Sequence, residues 1–338
     1  MLDICLLGTG GMMPMPQRWL TSMLARCEGV DLLIDCGEGT QIALKEKGWS
    51  PKPIDIMCFT HYHADHISGL PGMLLSMANA EKTTPLVMIG PKGLQGVVGA
   101  LRVIAPGLPF DIKYVELDEP RKHMKLGPYE IDAFRLNHNT ICYGYRIEIP
   151  RKGRFDAARA KDLGIPLKFW NRLQHGETIT ETGDDGRGDG RGGSSGNSDG
   201  SGAGSSGSGR TYTPDMVMGE SRRGLKVCYT TDTRPVPVIS EYASDADLFI
   251  CEGMYGEEGM DAKAREHKHM TMQEGARLAA AANPQPKEMW FTHYSPSMMR
   301  PDLYIKDVRQ IFPAAKTARD GWSIDLGYED EADAEAGK

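Results

Sequence analysis

The sequence predicts an α/β fold built in layers, and three observations carry that expectation. Short apolar runs such as LDICLL (2–7) alternate with helix-spaced segments of about ten residues. The first strands follow one another too closely for helical crossovers, which argues against a purely parallel doubly wound sheet. Polar residues follow the ends of apolar runs repeatedly, as in enzymes that assemble a site on one rim of a sheet.

Residues 2–7 and 21–26 read as strands joined by GTGGMMPMPQRWL (8–20), a Gly- and Pro-rich turn structure expected near a sheet edge. Residues 31–36 form the next strand, followed by GEGTQIALKEKG, whose apolar spacing suits a helix. Gly37 and Gly39 at that turn either bring backbone amides up to a ligand or simply make it tight. Strand 54–59 leads into THYHADHISGL (60–70), then come a helix over 68–80 and a strand over 86–90. An amphipathic helix is expected over 94–104, and strands over 112–116, 129–136 and 143–149. Further on, strands are expected over 225–230, 246–251 and 288–292, with helices over 270–282 and 304–312.

Length allows a single domain over 1–326, ending in an acidic tail at 327–338. Two stretches interrupt it. Residues 151–182 carry seven Lys and Arg against four Asp and Glu, a basic insertion in a chain whose formal net charge is −7. Arg151, Lys152, Arg154, Lys168 and Arg172 suit phosphate contact there, although a solvated helix gives the same pattern. Residues 183–210 are Gly/Ser/Asp-rich, too poor in apolar side chains to order themselves, and are expected to form a disordered loop. The negative whole-chain charge gives no general nucleic-acid signal, so local patches and metals must overcome it if RNA is bound. Seven scattered cysteines without CxxC spacing fit buried thiols in a reducing cytoplasm. No apolar stretch reaches the length of a membrane span, and no signal peptide is read at the N-terminus.

The densest chemistry is HYHADH (61–66). Imidazole and carboxylate at this spacing suit divalent metals, zinc above all, with manganese or iron as alternatives. If the strand continues, His61, His63 and Asp65 project to one side and His66 enters from the following turn. His138, Asp232, Glu252 and His293 each follow an apolar run (AFRLN, VCYTT, DLFIC, EMWFT). Two metal ions need about seven such ligands, and this chain supplies that number.

These motifs resemble the ribonuclease Z family of the metallo-β-lactamase superfamily. The resemblance rests on LLGTGG (6–11), DCGEGTQ (35–41), HYHADH (61–66), NHNTICYGYR (137–146), TTDTRP (230–235) and FTHYSP (291–296), in order along most of the chain. It implies the metallo-β-lactamase fold, an αββα four-layer sandwich of two mixed β-sheets with outer helices. It implies endonucleolytic hydrolysis of precursor tRNA on the 3′ side of the discriminator nucleotide, by an enzyme that is usually a homodimer. Residue by residue, it assigns one metal to His61, His63 and His138, a second to Asp65, His66 and His293, and Asp232 between them with a bridging hydroxide. Asp65 would act as base. His269, oriented by Glu252, would protonate the leaving ribose oxygen. GRFDAARAKDLGIP (153–166) resembles the base of the family's tRNA-binding arm.

The chain departs from the family at four places. Cys251-Glu252-Gly253-Met254 replaces His-Glu-Ala-Thr, His269-Met270-Thr271 replaces His-Ser-Thr, Arg18-Trp19 stands for Arg-Asn, and the arm lacks a Gly-Pro-rich tip. Two other readings compete with tRNA processing. One is hydrolysis of small phosphodiesters, such as cyclic nucleotides, or of esters; the other is a metal-stabilised binding module without turnover.

Overall fold

A computed structural model describes residues 1–181 and 210–328. The chain enters through β1 (Leu2–Gly8), β2 (Ser22–Cys27) and β3 (Val30–Ile34), then α1 (Thr40–Glu46) and β4 (Ile54–Cys58). It continues through α2 (Ala64–Ile67), α3 (Leu70–Asn79), β5 (Leu86–Pro91), α4 (Leu94–Leu101) and β6 (Ile112–Leu117). The strands β7 (Arg121–Leu126), β8 (Tyr129–Arg135) and β9 (Tyr143–Arg151) follow. Next come α5 (Ala157–Asp162), α6 (Leu167–Gln174), β10 (Ile179–Glu181) and β11 (Arg210–Tyr212). The last part holds β12 (Arg222–Tyr229), α7 (Pro237–Ala243), β13 (Leu248–Glu252), α8 (Asp261–His267) and α9 (Met272–Ala281). It closes with β14 (Glu288–Thr292), α10 (Ile305–Ile311), β15 (Ala315–Thr317) and β16 (Trp322–Leu326).

Two mixed sheets result, ordered β16-β1-β2-β3-β4-β5-β6 and β15-β14-β13-β12-β9-β8-β7. In each, an antiparallel part adjoins a parallel one: β3 to β6 run parallel in the first, and β12 to β15 in the second. The close spacing of the first strands fits this, since β1, β2 and β3 pair antiparallel.

Strand alternation explains the layering. Leu2, Ile4 and Leu6 of β1 pack between the sheets with Ile131 and Ala133 of β8 and Val227 of β12. Cys5 and Leu7, pointing the other way, join Leu44, Met73 and Leu74 of α1 and α3. On the far side, Phe249 and Phe291 meet Ala276 and Ala279 of α9 and Val308 of α10. Helices thus cover the outer face of each sheet, and burying each large apolar side chain contributes about 1.5–3 kcal/mol. Tyr145 crosses between the sheets, its hydroxyl donating to the Phe59 carbonyl at 2.7 Å, and the Tyr143 amide donates to Thr60 at 3.0 Å. These two bonds tie the second sheet to the start of the histidine segment.

The chain divides into two compact units: Met1–Pro150 together with the chain from Gly224 on, and Arg151–Arg223. The second has its own small core of Ala160, Ile165, Phe169, Leu173, Ile179 and Tyr212, closed by the β10–β11 pair. The disordered loop expected at 183–210 lies outside the described residues except for Arg210, which opens β11. The acidic tail lies outside them from residue 329 on. Among the described residues, no helix is long and apolar enough to cross a membrane.

Candidate metal centre

The histidine segment differs from its expected shape. The strand stops at Cys58, His63 caps the following turn in an extended conformation, and Asp65 with His66 sit in the single turn α2. Asp65 therefore reaches the cluster from a helix, not by strand alternation. The change of secondary structure turns both side chains toward residues delivered by the second sheet.

Those residues come from strand ends. His138 lies in the β8–β9 hairpin loop, Asp232 beyond β12, Glu252 at the last position of β13, and His293 just after β14 at φ 55°. The Asp232 carboxylate faces two ways. Its Oδ2 lies 3.6 Å from His61 Nε2 and 3.6 Å from His138 Nε2, while His63 Nδ1 is 3.3 Å from that same His138 nitrogen. Its Oδ1 lies 2.9 Å from His293 Nε2 and 3.3 Å from His66 Nε2. Asp65 Oδ2 completes this second group at 3.3 Å from His293 Nε2 and 3.6 Å from His66 Nε2. Within each group of four, the donor atoms lie within 4.8 Å of one another.

The other nitrogens of three imidazoles are anchored. His66 Nδ1 is 2.8 Å from Asp35 Oδ2, His61 Nδ1 is 3.1 Å from Thr60 Oγ1, and His138 Nδ1 is 3.1 Å from the Lys268 carbonyl. Such partners fix ring orientation so that the free nitrogen points into the cluster. His61 Nε2 is buried without a hydrogen-bond partner among the described residues. A buried polar atom left unpaired costs roughly 1–3 kcal/mol, so a cluster of nitrogen and carboxylate donors aimed at one another fits cations held between them.

Electrostatics divide the histidines. Burial holds His61 well below its usual value and brings His138 down to about 4, leaving both as neutral donors. Burial pulls the same way on His293, but Asp232 and Asp65 overcome it and raise that imidazole to about 10. His66 moves up too, because three carboxylates outweigh its burial. Burial would raise Asp65 and Asp232, yet neighbouring imidazoles hold both carboxylates low.

Beside the cluster, Glu252 is fully buried and fully engaged. Its Oε1 accepts the Thr233 amide at 2.6 Å; its Oε2 accepts the Met270 amide at 3.2 Å and lies 3.1 Å from His269 Nδ1. Burial raises the Glu252 carboxyl against the pull of His269; His269 is raised against its own burial, mainly by Glu252. His267, two residues away, is exposed and does not meet Glu252. His269 Nε2 points back toward Asp232 Oδ2, 4.0 Å away. Arg234 braces this corner by donating to the His269 carbonyl and to both Glu274 oxygens.

The structure thus brings all seven expected ligands together, with Glu252 and His269 next to them. It adds three features that residue-type reasoning passed over. Asp35 enters the sequence reading only as part of DCGEGTQ; its φ of 58° directs it at His66 and Thr60. The Met12 amide donates to Asp65 Oδ2 at 2.7 Å. Gly11 lies so close to His293 that a Cβ there would meet the ring at 2.6 Å. The loop 8–20, expected near a sheet edge, is therefore part of the site. Its backbone pairs with Tyr294 (Gly11 N to Tyr294 O, 3.0 Å) and its ends are held by the Asp320 carboxylate. Of the basic residues in the second unit, Lys152 donates to the His175 carbonyl at 2.8 Å and Arg172 pairs with Glu177 at 2.7 Å. Lys168 is exposed, its ammonium 4.7 Å from the centre of the Phe169 ring.

A cleft of about 420 Å³ opens over the cluster, lined by His63, Asp65, His138, Asp232 and His269 and by surrounding loop residues.

Comparison with known proteins follows the same lines. A family model described as "Anti-Pycsar protein Apyc1" matches residues 2–99. The chain is 56% identical over 331 residues to ribonuclease Z of Lachnospira eligens, covering 98% of this chain and 100% of that protein. It is 52% identical over 329 residues to ribonuclease Z of Lachnoclostridium phytofermentans, covering 97% and 99%. Among solved structures it resembles human tRNase Z, short form, with a TM-score of 0.64, 22% identity and coverage of 96% of this chain and 100% of that one. The metallo-β-lactamase fold protein YhfI from Bacillus subtilis superposes with a TM-score of 0.62 at 17% identity, covering 96% and 98%. The two packed mixed sheets with outer helices are the metallo-β-lactamase fold.

Proposed function

The chain belongs to the ribonuclease Z family, and we propose that it is a dinuclear metal-dependent endoribonuclease cutting precursor tRNA on the 3′ side of the discriminator nucleotide. One observation carries the chemistry: Asp232 turns one oxygen to each of two adjacent ligand groups, with a carboxylate–imidazole pair beside them. His61, His63 and His138 would hold one ion, Asp65, His66 and His293 the other, and Asp232 faces both groups. Five imidazoles and two carboxylates form a donor set suited to zinc, with manganese or iron as alternatives that metal analysis distinguishes. Two such ions, when bound, supply an activated water and neutralise charge on the phosphodiester.

The chain's own groups do the rest. Asp65, kept ionised by His66 and His293 and oriented by the Met12 amide, accepts the proton of the attacking water. His269 donates a proton to the departing 3′ oxygen of the discriminator ribose. Glu252 holds that imidazole in place and raises its basicity. Arg151, Lys152, Arg154, Lys168 and Arg172 belong to an arm that grips the tRNA. A homodimer completes the reading, with the arm of one subunit serving the other's site. Seven free, buried cysteines support a reducing cytoplasm as its location.

The test is turnover of three substrates by the purified protein: a precursor tRNA with a 3′ trailer, bis-p-nitrophenyl phosphate and cyclic AMP. Cleavage of the precursor is expected. Turnover of the small diesters alone would remove tRNA from the assignment while leaving the hydrolytic site. Sedimentation at several concentrations checks the dimer.

A further inference from the structure

We propose that Lys263 and His267 form a phosphate subsite for the RNA strand on the 5′ side of the cut, an inference that rests on the reading of His269 as proton donor to the leaving oxygen. The two residues stand four apart on α8, hence on one face of it, and both line the cleft over the cluster. Lys263 is exposed, its ammonium 5.5 Å from the centre of the Tyr255 ring, which forms part of the same wall. Among the described residues, no carboxylate lies within ion-pair distance of it. Some other cations of the same unit are paired, as Arg121 is with Glu241, Arg234 with Glu274 and Arg300 with Asp302, so what sets Lys263 apart is its place on the cleft wall. The His267 ring is exposed, and its carbonyl accepts from Asn139 Nδ2 at 3.3 Å, tying α8 to the hairpin loop that carries His138.

Direction follows from chemistry. The oxygen that leaves is the 3′ oxygen of the upstream nucleotide, so that nucleotide must lie against His269. From α8 the chain passes through Lys268 straight into His269. The next phosphate toward the 5′ end is assigned to the wall where Lys263 and His267 stand, because both line the same cleft as His269. Met12, Met13 and Pro296, which also line the cleft, offer no cation. A lysine and an imidazole suit a single-stranded backbone phosphate, which carries charge and acceptor oxygens but no sequence information.

A solvated lysine on a helix is the competing explanation, and Arg265 separates the two. It is exposed on the same helix, but does not line the cleft. With a precursor tRNA as substrate, Lys263→Ala is expected to raise KM roughly five- to ten-fold, to leave kcat within about two-fold, and to lower the salt slope of log(kcat/KM) by about 0.7–0.9. Lys263→Arg should restore both KM and slope, and Arg265→Ala should change neither. An unchanged KM and slope in Lys263→Ala, or an equal effect in Arg265→Ala, would overturn the subsite. Failure of the unmodified protein to cut the precursor would instead remove the tRNA reading and the subsite with it, a result visible without any variant.

Discussion

Asp232 links the two ligand groups, and its neighbours show how little slack the site has. Asp35 lies outside the cluster but holds His66 by its Nδ1 and takes the Thr60 amide at 2.8 Å. Asp35→Ala should therefore weaken zinc binding roughly ten- to a hundred-fold, read by competition with a chromophoric chelator. Gly11→Ala places a methyl group against the His293 ring. Lower metal content and loss of most phosphodiesterase activity are expected, while Gly29→Ala, at a turn with no neighbour within 4 Å, should cost only its backbone strain. Removing His269 should slow cleavage roughly a hundred- to ten-thousand-fold. If Glu252 acts through the His269 ring that it contacts, the double variant Glu252→Gln/His269→Ala should be little worse than His269→Ala alone, and fully multiplicative losses would separate their roles. The seven positions that the structure groups could be read from the sequence because imidazoles and carboxylates recur after several apolar runs and match the family's motifs, although any one of them alone is more often structural. Asp35 was less readable, since one aspartate after a strand carries no signal until its φ and its partner are known. The Met12 contribution had none at all, being made by a backbone amide.

The elements recovered best from sequence are the buried strands. Residues such as Ile54, Ile56 and Met57, or Phe249, Ile250 and Cys251, are covered on both faces and read as apolar runs. Strands at the sheet margins escaped notice. Arg121–Leu126 (RKHMKL) alternates exposed and half-buried side chains at the edge of its sheet, and Ala315–Thr317 is only three residues long. The helix α8 was also missed, because DAKAREH buries only Ala264 and so lacks an apolar stripe. The second unit offers its own test. Its two ends come together where Phe155 bridges Met218 and where Gly153 lies so close to Gly219 that a Cβ would meet that carbonyl oxygen at 2.0 Å. Replacing residues 154–218 by a short Gly/Ser link should therefore leave the first unit folded, as judged by circular dichroism. The KM for precursor tRNA is expected to rise by an order of magnitude or more while bis-p-nitrophenyl phosphate is still hydrolysed. Equal loss of both would show that the insertion supports the fold and does not serve as an RNA handle.

For the molecule as a whole, the two sheets are the scaffold and the His/Asp cluster is the joint. His61, His63, Asp65 and His66 follow a strand of the first sheet, whereas His138, Asp232 and His293 follow strands of the second. Metal bound between them would crosslink the sheets, so chelation should lower the melting temperature and zinc should restore it in a concentration-dependent way. An unchanged melting curve would mean that the cluster holds no ion in solution. With a formal net charge of −7, the protein approaches RNA against its own field, which places recognition on local cations and on the cluster itself. The most direct measurement is the position and chemistry of the cut in a precursor tRNA carrying a 3′ trailer. Hydrolysis that expels the ribose oxygen should give one cut after the discriminator nucleotide, a 3′-hydroxyl on the tRNA and a 5′-phosphate on the trailer. A cut elsewhere, a 2′,3′-cyclic phosphate end, or an intact precursor in the presence of zinc would contradict it.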